Sequence, residues 1–497
     1  MRSCFGALCA RFRGGVIASA CVVLPALPVR AAAAEAGEKD AKAPLSELLD
    51  EEFREGTETR EQPAEDRLLT DRVEQVLNDF VTIGGYVRAG YGRSGAGGPM
   101  VSFQAPGAQS KYRLGNEAET YGELIISKNY HLPGVFDLGG APRSDTFTGP
   151  IAHVQVRLSF YNPYSAFNSA DDTSVSVPEA WASVGNVLAF APSAKFWAGN
   201  RFYRRHDIHV TDFFYWNTSG GGGGIEDVPL GPGRLAFAWI GWGSTSGVGY
   251  VPEPDPENRA GFSKSTYDLR AYDLPFLAGN VELGLAYART ASGVDQLGRR
   301  APDSRGFAGA LVHTVPGFIS DDGVQKLSIQ YGTGAARTFT AGFETVTLPE
   351  GTFIRSEENA ATRLRITESF TANVGEYFSL GPVVIFQQSR EGMPDTTQTW
   401  LSAGARPIVH FTRNVNLAVE GGVDWVKDEA AGSEGTLGKI TVAPQVSIGN
   451  RWNSRPVIRG FVTGAWWSEG FVGRVGGQDY VTDDEGLTAG MQMEAWW

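Results

Sequence analysis

Apolar and polar residues alternate repeatedly between Val81 and Trp497, and after Leu27 no uncharged apolar run reaches the roughly 20 residues with which a helix crosses a bilayer. Val154, Val156, Leu158 and Phe160 interleave with His153, Gln155, Arg157 and Ser159. Ile440, Val442, Val446 and Ile448 do the same with Thr441, Ala443, Gln445 and Ser447, as do Val281, Leu283, Leu285 and Tyr287 with Glu282, Gly284, Ala286 and Ala288. Each segment is a strand with one apolar face. In a sandwich those faces would meet in a core; in a transmembrane barrel they face lipid while the other face lines a wet lumen. A hydrophobic content of 42% over so long a chain without helical patterning fits the barrel. The chain stops on such a strand, with Met491, Met493, Ala495 and Trp497 on one face and Gln492, Glu494 and Trp496 on the other. Lipid tolerates only backbones whose hydrogen bonds are closed, so strands that meet it must form a closed antiparallel barrel.

The other end reads as an export signal. Arg2, Arg11 and Arg13 precede the apolar run Val16–Leu27 and then Ala31–Ala34, the layout of a secretory signal over residues 1–34. Cys4, Cys9 and Cys21 all fall inside it, so the expected mature chain has no disulfide and no cysteine-based metal site. Residues 35–80 hold 15 acidic and 6 basic residues and read as a charged periplasmic extension, short and helical or disordered. Within it Leu69, Val73, Val76 and Phe80 form an amphipathic seam, suited either to a short coiled coil or to packing on the barrel. A net charge of −13 argues against nucleic acid as a partner.

Residues 81–497 are expected to form the barrel. With strands of roughly 9–11 residues this length accommodates about 16 to 20 of them. Pro99, Pro106, Ser219–Gly224, Val251–Pro256 and Asp321–Gly323 read as turns and loops. The glycine run lacks the Lys and the Ser or Thr that follow in a phosphate-binding loop. His206 and His209, three apart, would point to opposite faces of a strand, so no metal site is expected there. No nucleophile elbow or marked carboxylate pair indicates catalysis, so neither enzymatic activity nor a cofactor is expected.

Two polar blocks carry the functional signal. Gly85–Gly92 runs into Gly107–Glu123, and the second block is Trp197–Trp216. In alternation Tyr86 shares a face with Arg88, and Tyr121 with Glu123. Aromatic rings stack on the C–H faces of pyranoses, while Arg, Glu and Asp pair with their hydroxyls. The same residues would also serve as an interfacial aromatic girdle with wall salt bridges.

These blocks, the run Arg455–Arg459 and the ending Met491–Trp497 resemble the maltoporin-type sugar porins of Gram-negative outer membranes. The resemblance extends from about Val81 to Trp497 and is weak between roughly 245 and 400. It implies an 18-stranded barrel, a homotrimer, a lumen narrowed by an inward-folded loop, and an outer-membrane channel for oligosaccharides, foremost maltose and maltodextrins. Matched position by position, it implies an aromatic path of Tyr86, Tyr121, Phe411 and Trp496, and a polar track of Arg88, Arg113, Glu123, Arg205 and Asp212. Phe214 stands where the family has a constriction tyrosine. Pro178 stands near a track arginine, Ser102 and Ala118 stand where the family has a first-loop disulfide, and the divergent loop Phe167–Asp172 gives no position for the aromatic contributed by a neighbouring subunit. These departures leave maltodextrin selectivity open; the charged leader resembles the periplasmic coiled-coil extension of sucrose-type members, and a general or anion-leaning porin would be served by Arg88, Arg113 and Arg205. A secreted carbohydrate-active enzyme on a β-sandwich is the remaining alternative.

Overall fold

A computed structural model describes residues 81–117, 119–131, 149–162, 173–188, 190–244, 262–294, 300–301, 303–342, 346–348, 351–353 and 358–497. The expected signal, the 35–80 extension with its amphipathic seam, Val251–Pro256 and the Phe167–Asp172 loop lie outside them.

Eighteen strands make one sheet. They begin with β1 Thr82–Ser94, β2 Thr120–His131, β3 Ile151–Asn162, β4 Ser174–Gly185, β5 Lys195–Arg201, β6 Gly220–Leu230, β7 Gly233–Ser244, β8 Phe262–Phe276 and β9 Gly279–Thr290. They continue with β10 Ser304–Pro316, β11 Val324–Thr333, β12 Thr362–Val374, β13 Phe378–Arg390, β14 Thr397–His410, β15 Val415–Asp428, β16 Ser433–Ser447, β17 Val457–Trp467 and β18 Glu485–Trp496. Each pairs antiparallel with its chain neighbour, and β1 pairs with β18 from Tyr86↔Trp496 to Ser94↔Thr488, which closes the barrel. Among the described connections, those on one rim are as short as Gly231–Pro232 between β6 and β7, while the other rim carries longer loops. By the usual asymmetry of such barrels the short turns are periplasmic.

The burial pattern is inside out relative to a water-soluble protein. Val442, Leu285, Met491 and Ile458 project from the outer wall and are exposed. Trp239, Tyr267, Tyr287 and Phe307 are successive cross-strand partners on β7–β10, with ring centroids 6.3, 6.2 and 5.0 Å apart, an aromatic ladder of the kind found at bilayer interfaces. The buried apolar side chains instead gather in the lumen, where Phe103, Tyr112, Leu114, Phe213 and Trp400 belong to one cluster. Closed on itself and apolar outside, the 18-stranded sheet is a barrel that meets lipid with its outer face.

The glycine run corrects one expectation. Gly220–Gly224 is the start of β6 rather than a loop. Side chains are excluded at two of its positions because the wall is crowded: a Cβ on Gly222 would fall 2.2 Å from the Trp239 carbonyl oxygen, and one on Gly224 would fall 2.2 Å from that of Phe237. Glycine in a strand interior marks close backbone approach.

Candidate functional site

The β1–β2 and β5–β6 connections fold into the lumen, and each is fastened by buried charge. The β1–β2 loop lays the Tyr112 ring on β14 and β15, where a Cβ on Gly404 or Gly422 would fall 2.5 or 2.1 Å from it. Tyr112 Oη and Ser402 Oγ are 3.0 Å apart. Lys439 Nζ donates to the carbonyls of Tyr112 and Leu114 at 2.8 and 2.5 Å, and the Leu114 amide donates to Glu420 at 2.9 Å. Glu420 in turn pairs with Lys439 and Arg406 at 2.9 and 2.5 Å, which keeps its buried charge compensated.

The β5–β6 loop contains a small hairpin, His206–Ile208 with Phe213–Trp216. Its clamp is Arg270 on β8, fully buried and stacked 3.7 Å over the Trp216 ring. Arg270 pairs with Asp268 at 2.8 Å and Glu282 at 3.0 Å, and donates to the Arg204 carbonyl at 2.7 Å and Thr218 Oγ1 at 2.9 Å.

Where these loops face the wall of β1, β2, β3 and β18 they enclose a cavity of about 510 Å3. Alternation sends Tyr86, Arg88, Tyr121, Glu123 and Trp496 inward from the strands, and register makes neighbours of them, with Arg88 opposite Tyr121 and Tyr86 opposite both Glu123 and Trp496. Tyr86 lies 6.0 Å from Tyr121 and 6.4 Å from Trp496, nearly parallel to the latter at 18°. The β1–β2 loop adds Arg113 and the β5–β6 loop adds Arg205, Asp212 and Phe214. Nine of the ten residues chosen from sequence therefore line this one space.

Phe411 does not. The inner face of β14 is carried by Ser402, Arg406, Ile408 and His410, so the next residue turns outward into the β14–β15 turn and is 62% exposed. The aromatic that enters the lumen nearby is Trp452, from the β16–β17 turn. Its ring packs against β13, where a Cβ on Gly381 would fall 2.3 Å away, and its amide donates to Asn373 at 2.8 Å. No period reveals a residue delivered by a turn. The cavity also contains Tyr161, Phe202, Asp207 and His209. Tyr161 was legible in principle, since it continues the polar face of β3 after His153, Gln155, Arg157 and Ser159; the other three depend on the path of the β5–β6 loop.

The arginines divide into paired and unpaired. Arg88 pairs with Glu119 and, at 3.4 Å, with Glu117. Arg113 pairs with Glu117 at 3.0 Å and Glu494 at 3.2 Å, and donates to Tyr86 Oη at 2.9 Å. Arg157 joins Glu123 to Glu179. Glu494 is also met by Arg455 at 3.0 Å and Arg459 at 2.8 Å. By contrast, among the described residues Arg205, Asp207 and Asp212 enter no ion pair. The Arg205 guanidinium is held between the rings of Phe202 and Phe214, at 3.9 and 4.5 Å, which fixes its plane and leaves its donors to the cavity.

His206 and His209 go to different partners. His206 faces Glu282 at 3.2 Å, while His209 Nδ1 lies 3.1 Å from Arg113 Nη1 and its ring meets Trp496 edge-on. The Arg113 guanidinium can only donate, so Nδ1 is the acceptor, and burial, reinforced by the Arg113 charge, holds the His209 imidazole well below its ordinary range. At the departures from the family pattern, Ser102 Oγ donates to the Asn116 carbonyl at 2.9 Å, and the Pro178 carbonyl accepts from Asn200 at 3.0 Å.

A model of the LamB porin family matches residues 81–497. Among solved structures, OmpF of Salmonella typhi in complex with daunomycin aligns over 83% of this chain and 97% of its own, at 10% identity and a TM-score of 0.41. OmpT of Vibrio cholerae in its trimer form aligns over 84% and 99%, at 8% identity and 0.35.

Proposed function

This chain belongs to the LamB porin family, and from that premise we propose that it is a passive channel for oligosaccharides, foremost maltose and maltodextrins. The observation that carries this reading is the composition of one cavity. Tyr86 lies within about one sugar width of both Tyr121 and Trp496, and Arg205, Asp207 and Asp212 offer hydrogen-bonding groups that enter no ion pair among the described residues. A pyranose sliding across the rings exchanges hydroxyl contacts from one charged group to the next. Binding must stay weak, because a tightly held solute blocks those behind it. The working assembly in this reading is a homotrimer, with residues 1–34 removed on export and 35–80 a periplasmic extension.

Maltotriose added to single channels in a planar bilayer should interrupt the ion current. Liposomes carrying the protein should swell faster in maltose and maltotriose than in sucrose. A current indifferent to every oligosaccharide, with swelling ordered by solute size alone, would reject the proposal.

One observation favours the anion-leaning alternative. Arg113, Arg455 and Arg459 converge on the single carboxylate of Glu494 beside Trp496. Reversal potentials in a salt gradient decide: strong anion preference without sugar block would select that reading.

A further inference from the structure

A second cavity, about 580 Å3, opens at the short-turn rim, bounded by residues of β2 to β7 and of the β4–β5 turn. This is within the range of roughly 300–1,000 Å3 typical of small-molecule sites. It holds none of the ten residues chosen from sequence and shares no residue with the cavity around Tyr121.

Its inner wall is a stack of rings and cations. Trp181 on β4 lies between His153 of β3, with ring centroids 5.0 Å apart, and Arg201 of β5, whose guanidinium sits 4.1 Å over the indole. The Trp181 Nε1 donor is buried and has no hydrogen-bond partner. An indole N–H is a donor only, and a buried one without an acceptor carries a desolvation penalty that a ligand oxygen would relieve.

The charges around the indole are compensated. Arg201 pairs with Glu226 at 3.0 Å, Lys195 with Asp227 at 2.8 Å, and Arg234 with Asp227 at 3.2 Å and Asp273 at 3.6 Å, so three cations meet three carboxylates. His153 Nδ1 lies 2.8 Å from Asn129 Oδ1, and Ser183, Asn186 and Ser193 add neutral polar groups to the lining. A pocket of paired ions, one aromatic and several neutral polar groups suits a solute with many hydroxyls better than an ion, because each pair presents a donor beside an acceptor.

The two cavities lie on one track. Tyr161, Arg157 and His153 all point inward from β3, and the eight residues from Tyr161 to His153 span roughly 26 Å of strand. Arg157 stands between, pairing with Glu179 at 2.5 Å, and Glu179, Trp181 and Ser183 are successive inward positions on β4.

We propose that the Trp181 cavity is a second, exit-side binding station for a polyhydroxylated solute, which receives a sugar after it leaves the Tyr121 cavity. The inference rests on the oligosaccharide reading above. The test is calorimetric titration of the detergent-solubilised full-length protein with maltotriose, alongside maltotriose block of single channels. Two binding components are expected per subunit in the unaltered protein. Trp181→Ala should weaken one of them roughly three- to tenfold and retain the other, which Tyr121→Ala removes. Trp181→Phe, which keeps a ring but not the N–H, should lie between. Asn129→Trp, which fills the cavity from an exposed position, should abolish the same component; ion conductance of each variant certifies a folded barrel. A single component, unchanged by Trp181→Ala and by Asn129→Trp yet lost in Tyr121→Ala, overturns the second station and leaves the sugar channel standing. No heat and no block in the unaltered protein overturns both.

Discussion

Gly85 and Trp497 exchange both backbone hydrogen bonds across the seam of the barrel, at 3.1 and 3.2 Å, and the Trp497 ring fills the place where a Gly85 side chain would stand. A Cβ on Gly85 would fall 2.4 Å from the ring. Gly85→Val should therefore force the terminal ring off the wall and lower barrel stability by about 1–3 kcal/mol, read as the urea midpoint in micelles. Adding Trp497→Ala should remove most of the additional loss, because the two changes share one contact. Strictly additive effects would show that the ring does not rest there.

Tyr121 couples the aromatic and polar sides of the cavity. Its ring lies 5.2 Å beneath the Arg88 guanidinium and its hydroxyl donates to Glu123 at 2.5 Å. Tyr121→Ala should weaken maltotriose block by roughly tenfold or more, enough to remove its calorimetric component, while the channel still conducts ions. Tyr121→Phe keeps the ring and should lose less. Equal losses in the two variants would place the contribution in the hydroxyl rather than the stacking face.

Arg205 is held by rings rather than by a carboxylate, so removing it exposes no orphaned partner. Arg205→Ala should alter sugar block and ion selectivity while moving the urea midpoint by less than about 1 kcal/mol. Arg88→Ala leaves Glu119 without its ion-pair partner, while Glu117 keeps Arg113, and should cost more stability. A larger midpoint shift for Arg205→Ala than for Arg88→Ala would contradict the pairing described above.

What the sequence reveals follows from what is periodic in it. Val154 through Phe160 face outward and His153 through Ser159 inward because a strand has a period of two, and the same rule brought Tyr86, Arg88, Tyr121, Glu123 and Trp496 to one wall. Register then made them neighbours, which alternation alone does not specify. The rule fails where the chain departs from the pleat. The bulge opposite Arg157–Ser159 falls at Val177–Pro178 and is marked only by that proline, and the bulge between Ala271 and Leu274 carries no such mark. Gly220–Gly224 has no side chains with which to show alternation, so it resembles a loop although it is a strand. Phe202, Asp207 and His209 reach the cavity along the β5–β6 loop, whose path is set by Arg270 on a strand more than fifty residues away. Phe411 and Trp452 sit on turns, where orientation depends on turn geometry rather than on period.

That clamp makes its own prediction. Arg270→Ala would leave Asp268 and Glu282 without their shared cation and free the loop at the Arg204 carbonyl and Thr218. A stability loss of about 3–5 kcal/mol is expected, together with higher, noisier conductance as the loop leaves its seat. Unchanged conductance with the full stability loss would mean that the β1–β2 loop holds the constriction by itself.

His209 supplies a pH dependence of fixed sign. Its folded-state pKa lies below its ordinary value, first because it is buried and then because Arg113 adjoins it. Below about 6.5 the unfolded chain binds a proton on this residue that the folded chain refuses, so stability falls as the pH drops from there toward the depressed value. The slope from this single group is at most about 1.4 kcal/mol per pH unit. Carboxylates titrate over part of the same interval, so the readout is the difference between the unaltered protein and His209→Gln, whose amide oxygen can accept from Arg113 without titrating. The two stability curves should run parallel above pH 7 and diverge below about 6.5, with the unaltered protein losing more. If they stay parallel to pH 4, His209 is protonated in the folded barrel, and Arg113 Nη1 cannot be donating to its Nδ1.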